Sequence, residues 1–239
     1  MATRPTHYPG GLSNTSPGDP LYMYPFLDPS KYHLYYTDFD LYTAADWTVT
    51  KSTTSATNVI TTGDGGLAAF GTGVSGTTSL ISNQWKGNSG AATVGTFTFD
   101  TTKFFFMKVR VKTSVVASTR MMIGVAGTST TPFDGVIDRV VLSAVAGAAI
   151  LTVSASGGST STSTAGTMTA DTFCTIAVAY IPGTGFQVFF NDALASTLTS
   201  TANAPASTSN MSITMACDTT NTSTQTQMTV DYLLIAKER

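Results

Sequence analysis

The strongest constraint on this chain is its punctuation. From Leu34 to the C-terminus, runs of about five to ten residues rich in Val, Ile, Thr, Phe and Tyr alternate with Gly, Pro, Asn and Asp clusters. Runs of that length are too short for amphipathic helices, and their β-branched and aromatic content suits a pleated surface. The clusters sit where hairpins need them: Gly63-Asp64-Gly65-Gly66, Gly157-Gly158, Pro182-Gly183-Thr184-Gly185 and Asn191-Asp192. Many short strands at regular spacing, with no βαβ units, predict an all-β antiparallel sandwich. At 239 residues a single sandwich domain accommodates the chain.

The predicted strands are 34–42, 47–53, 58–62, 67–71, 77–83, 96–100, 104–112, 120–126, 136–144, 149–155, 172–181, 186–191, 194–199, 211–217 and 228–237. In the run 104–112, Phe105, Met107, Val109 and Val111 share one face, while Lys108, Arg110 and Lys112 end the other. That is a strand with one dry and one wet face. The run 211–217 alternates as cleanly, with Ser212 and Thr214 expected outward. The last run is apolar on both faces at Tyr232–Ile235, which predicts a central strand. Residues 157–169 are Ser, Thr and Gly with little else, and read as a loop tip or a weak polar edge hairpin.

Residues 1–33 differ from this body. Six of the nine prolines fall here, between Pro5 and Pro29, and proline removes ladder donors and disfavours helix. Yet Tyr8, Tyr22, Tyr24, Phe26 and Tyr32 thread through the segment, and disordered chains are normally poor in aromatics. The division is an extended, aromatic-rich arm over 1–33 and a sandwich over 34–239. The arm aromatics are the candidate interface anchors, because such residues are enriched in binding hot spots.

Composition excludes several function classes. Thr and Ser number 45 and 24, and only 11% of residues are charged, with a net charge of -2. Twelve Lys and Arg against fourteen Asp and Glu give no electrostatic footprint for nucleic acid. Glu238 is the sole glutamate, so a glutamate pair flanking a glycosidic bond is absent. His7 and His33 lie in or at the end of the arm, away from any scaffold that would hold a catalytic triad. Cys174 and Cys217 have no second Cys or His at zinc-ligand spacing. Both are in phase with the apolar positions of their runs, which predicts buried free thiols, a disulfide between facing strands being the alternative. No apolar stretch approaches the roughly 20 residues of a membrane span, and the N-terminus is polar rather than a secretory leader. The expectation is a cytoplasmically folded protein that is not an enzyme and needs no cofactor.

Two further groups carry candidate chemistry. Asp38, Asp40 and Asp46 form the densest acidic cluster, and Asp38 and Asp40, two apart on one predicted strand, could make an oxygen-rich calcium site with Asp64, but solvated aspartates are the simpler reading. Asp134 and Asp138 receive the same reading. Lys103, Lys108, Arg110, Lys112 and Arg120 place five of twelve basic residues within 18 positions. Lys108, Arg110 and Lys112 are candidate contacts to an acidic partner surface, with Phe104 and Phe106 on the same face; ordinary solubilisation is the alternative.

The two ends carry a family resemblance. The opening Met1-Ala-Thr-Arg-Pro-Thr-His-Tyr-Pro-Gly-Gly-Leu12, with Asp28-Pro-Ser-Lys-Tyr-His33 and Tyr36-Thr-Asp-Phe-Asp40, resembles small structural proteins encoded near the major capsid gene of tailed phages. Gly63-Asp-Gly-Gly-Leu67, Asp171-Thr-Phe173, Tyr180, Phe189-Phe-Asn-Asp192 and the closing Val230-Asp-Tyr-Leu-Leu-Ile-Ala-Lys-Glu-Arg239 match the same pattern. The run to Tyr180, its Pro-Gly-Thr-Gly turn and Phe186–Asp192 also resemble a concanavalin/laminin-G-like jelly roll. The resemblance implies a capsid decoration (cement) protein on the exterior of the virion, made in the host cytoplasm. Its implied partners are the major capsid protein and itself as a homotrimer, with no nucleic acid and no membrane. It transfers no catalytic residue. The alternative is a tail- or fibre-associated carbohydrate-binding module, in which Trp47 and Trp85 would stack on a glycan or else belong to the core.

Overall fold

A computed structural model describes residues 7–8, 11–12, 31–61, 65–73, 79–86, 97–133, 137–145, 147–154, 160–219 and 225–239. Its strands are β1 (His7–Tyr8), β2 (Gly11–Leu12), β3 (Tyr32–Thr37), β4 (Trp47–Lys51), β5 (Thr57–Thr61) and β6 (Leu67–Gly71). They continue through β7 (Ser79–Trp85), β8 (Phe105–Thr113), β9 (Thr119–Ala126), β10 (Arg139–Val145), β11 (Ala148–Ser154) and β12 (Thr160–Thr167). The last five are β13 (Cys174–Ile181), β14 (Gly185–Phe190), β15 (Ala193–Leu198), β16 (Ser212–Thr219) and β17 (Gln227–Glu238).

Two antiparallel sheets stack face to face. One runs β12-β11-β10-β9-β16-β7-β4; the other runs β15-β14-β13-β8-β17-β6-β5, with β3 also paired to β17. The predicted all-β antiparallel sandwich of jelly-roll type is therefore the fold. Between the sheets, Met107, Val109 and Val111 of β8 meet Ile123 and Val125 of β9, Leu142 of β10, Val178 of β13 and Ile213 and Met215 of β16, all buried in one core. An aromatic group closes one part of this core. Phe99 stacks on Phe186 at 5.5 Å and meets Tyr180 edge-on at 5.0 Å, while the Tyr180 hydroxyl donates to Thr101 O at 2.9 Å. The tyrosine can thus bury its ring without orphaning its hydroxyl.

The predicted central strand is central: β17 pairs with β8 on one side and with β6 and β3 on the other. Local chemistry explains the turns. Asn191 and Asp192 both have positive φ, 48° and 64°, which joins β14 to β15 through the tight turn that matches strand twist. Phe39 also has positive φ (60°) and is buried at 1%. Its carbonyl lies 2.5 Å from where a Cβ of Gly66 would stand, so Gly66 must remain bare for the β3 exit to seat.

Of the two readings of the hydroxyl-rich stretch the polar edge hairpin is the one found: residues 160–167 form an edge strand, β12, antiparallel to β11. Three expectations need correction. Ser212 and Thr214 are buried at 1% and 0%, because β16 is internal and its outer side, through Ala216, joins a cluster with Met122, Ala126 and Val141 that Phe133 and Ile137 pack against. The predicted strand at 96–100 is reduced to one bridge, Phe97 to Met211. Finally β3 stops at Thr37, so Asp38 and Asp40 do not share a strand face.

The thiols follow their predicted course. Cys174 and Cys217 are free and buried, one in each sheet. Burial pushes their pKa values up to about 11 and about 12 respectively.

Candidate interaction surfaces

The side chains of Lys108, Arg110 and Lys112 leave the outer face of β8, opposite the buried Met107, Val109 and Val111. The fold closes this stripe on itself. Lys108 Nζ lies 2.8 Å from Asp192 Oδ1, presented by the β14–β15 turn. Arg110 pairs with Asp231 of β17, and its guanidinium also sits 4.4 Å from the centre of the Phe173 ring. Lys112 lies 5.1 Å from the same ring. Two of the three charges are thus met by carboxylates 84 and 121 residues away in sequence, and two cover an aromatic ring. The positive potential offered to an acidic partner is correspondingly low.

Phe106, expected on that exposed face, is buried at 6% among Ala177, Ala179, Phe189 and Ala236, with Phe104 and Leu234 at the margin. Alanines on β13 and β17 make room for the two phenylalanine rings. On the other sheet Arg120 pairs with Asp218 and covers Phe133 at 5.0 Å.

Groups able to supply chemistry are engaged elsewhere. Glu238 Oε2 accepts from Phe104 N at 3.0 Å. The pKa of exposed His33 is lowered by partial burial and by the nearby Arg239 and Lys237. Among the described residues no three His, Cys, Asp or Glu side chains gather around a common point. Asp64 and Asp134 lie outside the described residues, so of the expected calcium ligands only Asp38 and Asp40 are seen. No helix among the described residues is long and apolar enough to cross a membrane.

Both tryptophans belong to the packing. Trp47 is buried at 6% and stacks with Tyr42 at 6.0 Å; Trp85, its cross-strand partner, contacts Tyr35 at 5.1 Å. Of the arm aromatics, Tyr22, Tyr24 and Phe26 lie outside the described residues, and Tyr8 belongs to the β1–β2 pair. Tyr32 meets Phe104 edge-on at 6.2 Å.

What sequence reading missed is an asymmetry between the two sides of the sandwich. At one side the sheet edges β12 and β15 are stitched together: Ser163 Oγ donates to Ser196 Oγ at 2.8 Å, and Ser196 Oγ donates to Thr164 O at 2.8 Å. At the other side lie β4 and β5, linked by residues 52–56, with β3 beside them. Of the eight exposed large apolar residues among those described, six lie on this side, Leu34, Tyr36, Leu41, Val49, Val59 and Ile60, while Leu194 sits on β15 at the stitched side and Val145 ends β10. Leu41 is 83% exposed. The signal was present as apolar residues in runs with poor alternation, but their exposure depends on which strands became edges.

No protein-family model and no curated protein sequence matches the chain. Similar solved structures show the fold. A protein of unknown function from Shewanella oneidensis MR-1 superposes with a TM-score of 0.59 at 14% identity, over 87% of each chain. An endo-β-1,4-glucuronan lyase from the fungus Trichoderma reesei gives 0.56 at 9% identity, over 84% of this chain and 94% of the lyase. A botulinum neurotoxin type C structure, whose cell entry is described as dependent on two ganglioside molecules, gives 0.52 at 10% identity. This chain covers 86% of itself and 47% of that one, so it spans about half of the neurotoxin chain.

Proposed function

We propose that the chain is a non-catalytic structural protein that docks on the outer surface of a tailed-phage head and stabilises the shell. The observation that carries this reading is the apolar rim, Leu34, Tyr36, Leu41, Val49, Val59 and Ile60, which holds six of the eight exposed large apolar residues among those described, on a body whose β8 cations Lys108 and Arg110 are paired internally. A soluble monomer has no use for such a concentration of exposed apolar side chains, whereas a docking surface does. Residues 1–33 join the body on this side, at β3, so the arm and the rim act together on the major capsid protein. The end motifs that resemble phage head proteins give the class of partner.

Binding the assembled lattice and not the free subunit shifts the shell equilibrium toward the assembled state by mass action. Many modest contacts per particle then add up multivalently. The test is addition of purified protein to shells that lack it. Saturable binding that raises the temperature of shell disruption supports the reading; no binding by the full chain sinks it. Deleting residues 1–30, which leaves β3 whole, should abolish addition while the sandwich stays folded.

A second reading is favoured by one specific observation, the shared fold with a neurotoxin structure described in terms of gangliosides. Tyr36, 57% exposed, is the aromatic surface that a sugar ring would stack on; the buried Trp47 is not. Binding of the full chain on a glycan array, lost in Tyr36→Ala, would favour this reading over the first. The glucuronan lyase shares the sandwich, but an enzyme reading of this chain would have to rest on aspartates alone.

A further inference from the structure

Among the described residues, one stretch of backbone on the apolar rim is unused. Among the described residues β3 pairs with β17 alone. Arg239 N donates to Lys31 O at 2.8 Å, so Lys31 turns its peptide groups toward β17. By the alternation of an extended strand, His33, Tyr35 and Thr37 do the same, while the N–H and C=O groups of Tyr32, Leu34 and Tyr36 point to the open side. No proline interrupts this edge, and its lone titratable cation, His33, turns its peptide groups inward.

The edge has a shape. β6 and β3 occupy successive positions along the same side of β17, Gln227–Val230 for β6 and Leu233–Glu238 for β3. β5 flanks β6 only. The edge of β3 is therefore the floor of a notch one strand wide, bounded at one end by β5. The notch also has polarity. Lys31 stands at one end, beside Lys237 and Arg239, and Asp38 and Asp40 stand at the other.

We infer that the occupant is β3 of a second copy of this chain, antiparallel to the first about a twofold axis. Leu34 then lies opposite its own counterpart and Tyr32 opposite Tyr36 of the other copy. The outward groups of these three residues make about six main-chain hydrogen bonds. Lys31 of each copy comes beside Asp38 of the other, and the exposed side chains of Leu34 and Tyr36 meet across the new seam. A twofold pairing is self-complementary, so one set of opposite end charges serves both halves. Each strand enters the notch beside the other copy's β5, as in recognition by strand addition. The free protein is then a dimer, in place of the trimer that the family resemblance implies. The rest of the rim, Leu41, Val49, Val59 and Ile60, stays available to a shell. The pairing stands on the β3 edge, not on the virion reading, and is read on the free protein.

The test is the mass of the purified full chain by light scattering at micromolar concentration, with a dimer expected. Leu34→Cys should become a covalently linked dimer on mild oxidation, since directly opposed residues of such a pair lie about 5.5 Å apart at Cα. The buried Cys174 and Cys217 do not compete. Lys31→Glu and Asp38→Lys should each weaken the dimer at least tenfold, and the double variant should restore it. A monomer or a trimer overturns the inference. So does a dimer that Leu34→Cys fails to link, or a monomer in which the Leu34 and Tyr36 amides resist hydrogen exchange because another segment covers them.

Discussion

The ring of Phe190, on β14, fills the space that a side chain at Gly166, on β12, would need. A Cβ at Gly166 would stand 2.7 Å from two ring carbons of Phe190. The two residues belong to different sheets, so the contact fixes how closely the stitched side of the sandwich closes. The neighbouring Ala149–Ile150 register shift inserts Ala165 as an extra residue and turns it into the core.

Replacing Gly166 with Val should therefore destabilise the fold by about 1–3 kcal/mol through overpacking. Urea denaturation followed by circular dichroism measures this. A midpoint unchanged from the parent would show that Phe190 swings away freely.

The two carboxylate–arginine pairs should separate sharply. Asp218 and Arg120 form a largely buried pair, with Asp218 4% exposed, and removing one partner takes the ion pair from a charge that is poorly solvated. Asp218→Ala should cost about 3 kcal/mol. Arg110 is exposed, so Asp231→Ala should cost under about 1 kcal/mol. Equal losses in chemical denaturation would contradict this assignment.

The thiols make stability depend on alkaline pH. Their ordinary pKa of 9.0 is raised on folding to about 11 for Cys174 and about 12 for Cys217. Below pH 9 both states hold the protons and stability does not respond. Between pH 9 and 11 the unfolded chain loses protons that the folded chain keeps, so stability falls as pH rises. Cys174→Ala with Cys217→Ala should flatten that fall. Both thiols should also resist a thiol reagent at pH 8 until denaturant is added.

Much of this was legible in the sequence, because hairpin turns and two-residue alternation are local. β6 falls where its residues predict, β8 is displaced by one residue, and β9 begins one residue early. β12 was not legible as a certain strand, since Thr and Ser alternate with each other and only Ala165 is buried on it. Ser212, Thr214 and Phe106 look exposed by phase but are covered by parts of the chain distant in sequence. The stripe Lys108–Arg110–Lys112 is visible as charge, while its neutralisation by Asp192 and Asp231 is a property of strand order. The exposure of the apolar rim was not legible for the same reason: Val49, Val59 and Ile60 are ordinary strand residues until β4 and β5 turn out to be edges.

The rim should tolerate charge in the free protein. Leu41→Asp and Val59→Asp lie in exposed positions and should change stability by no more than about 0.5 kcal/mol. In competition with the parent chain for shells, the double variant should be outcompeted strongly. Equal incorporation would remove the rim from the docking surface.

The central claim, a structural role on the shell exterior, is tested most directly by counting copies in purified particles by quantitative mass spectrometry. A docked lattice protein should appear in a fixed, simple ratio to the major capsid protein, with one set of copies for each equivalent lattice position. Absence from the particle, or a handful of copies that separate with the tail, would contradict it.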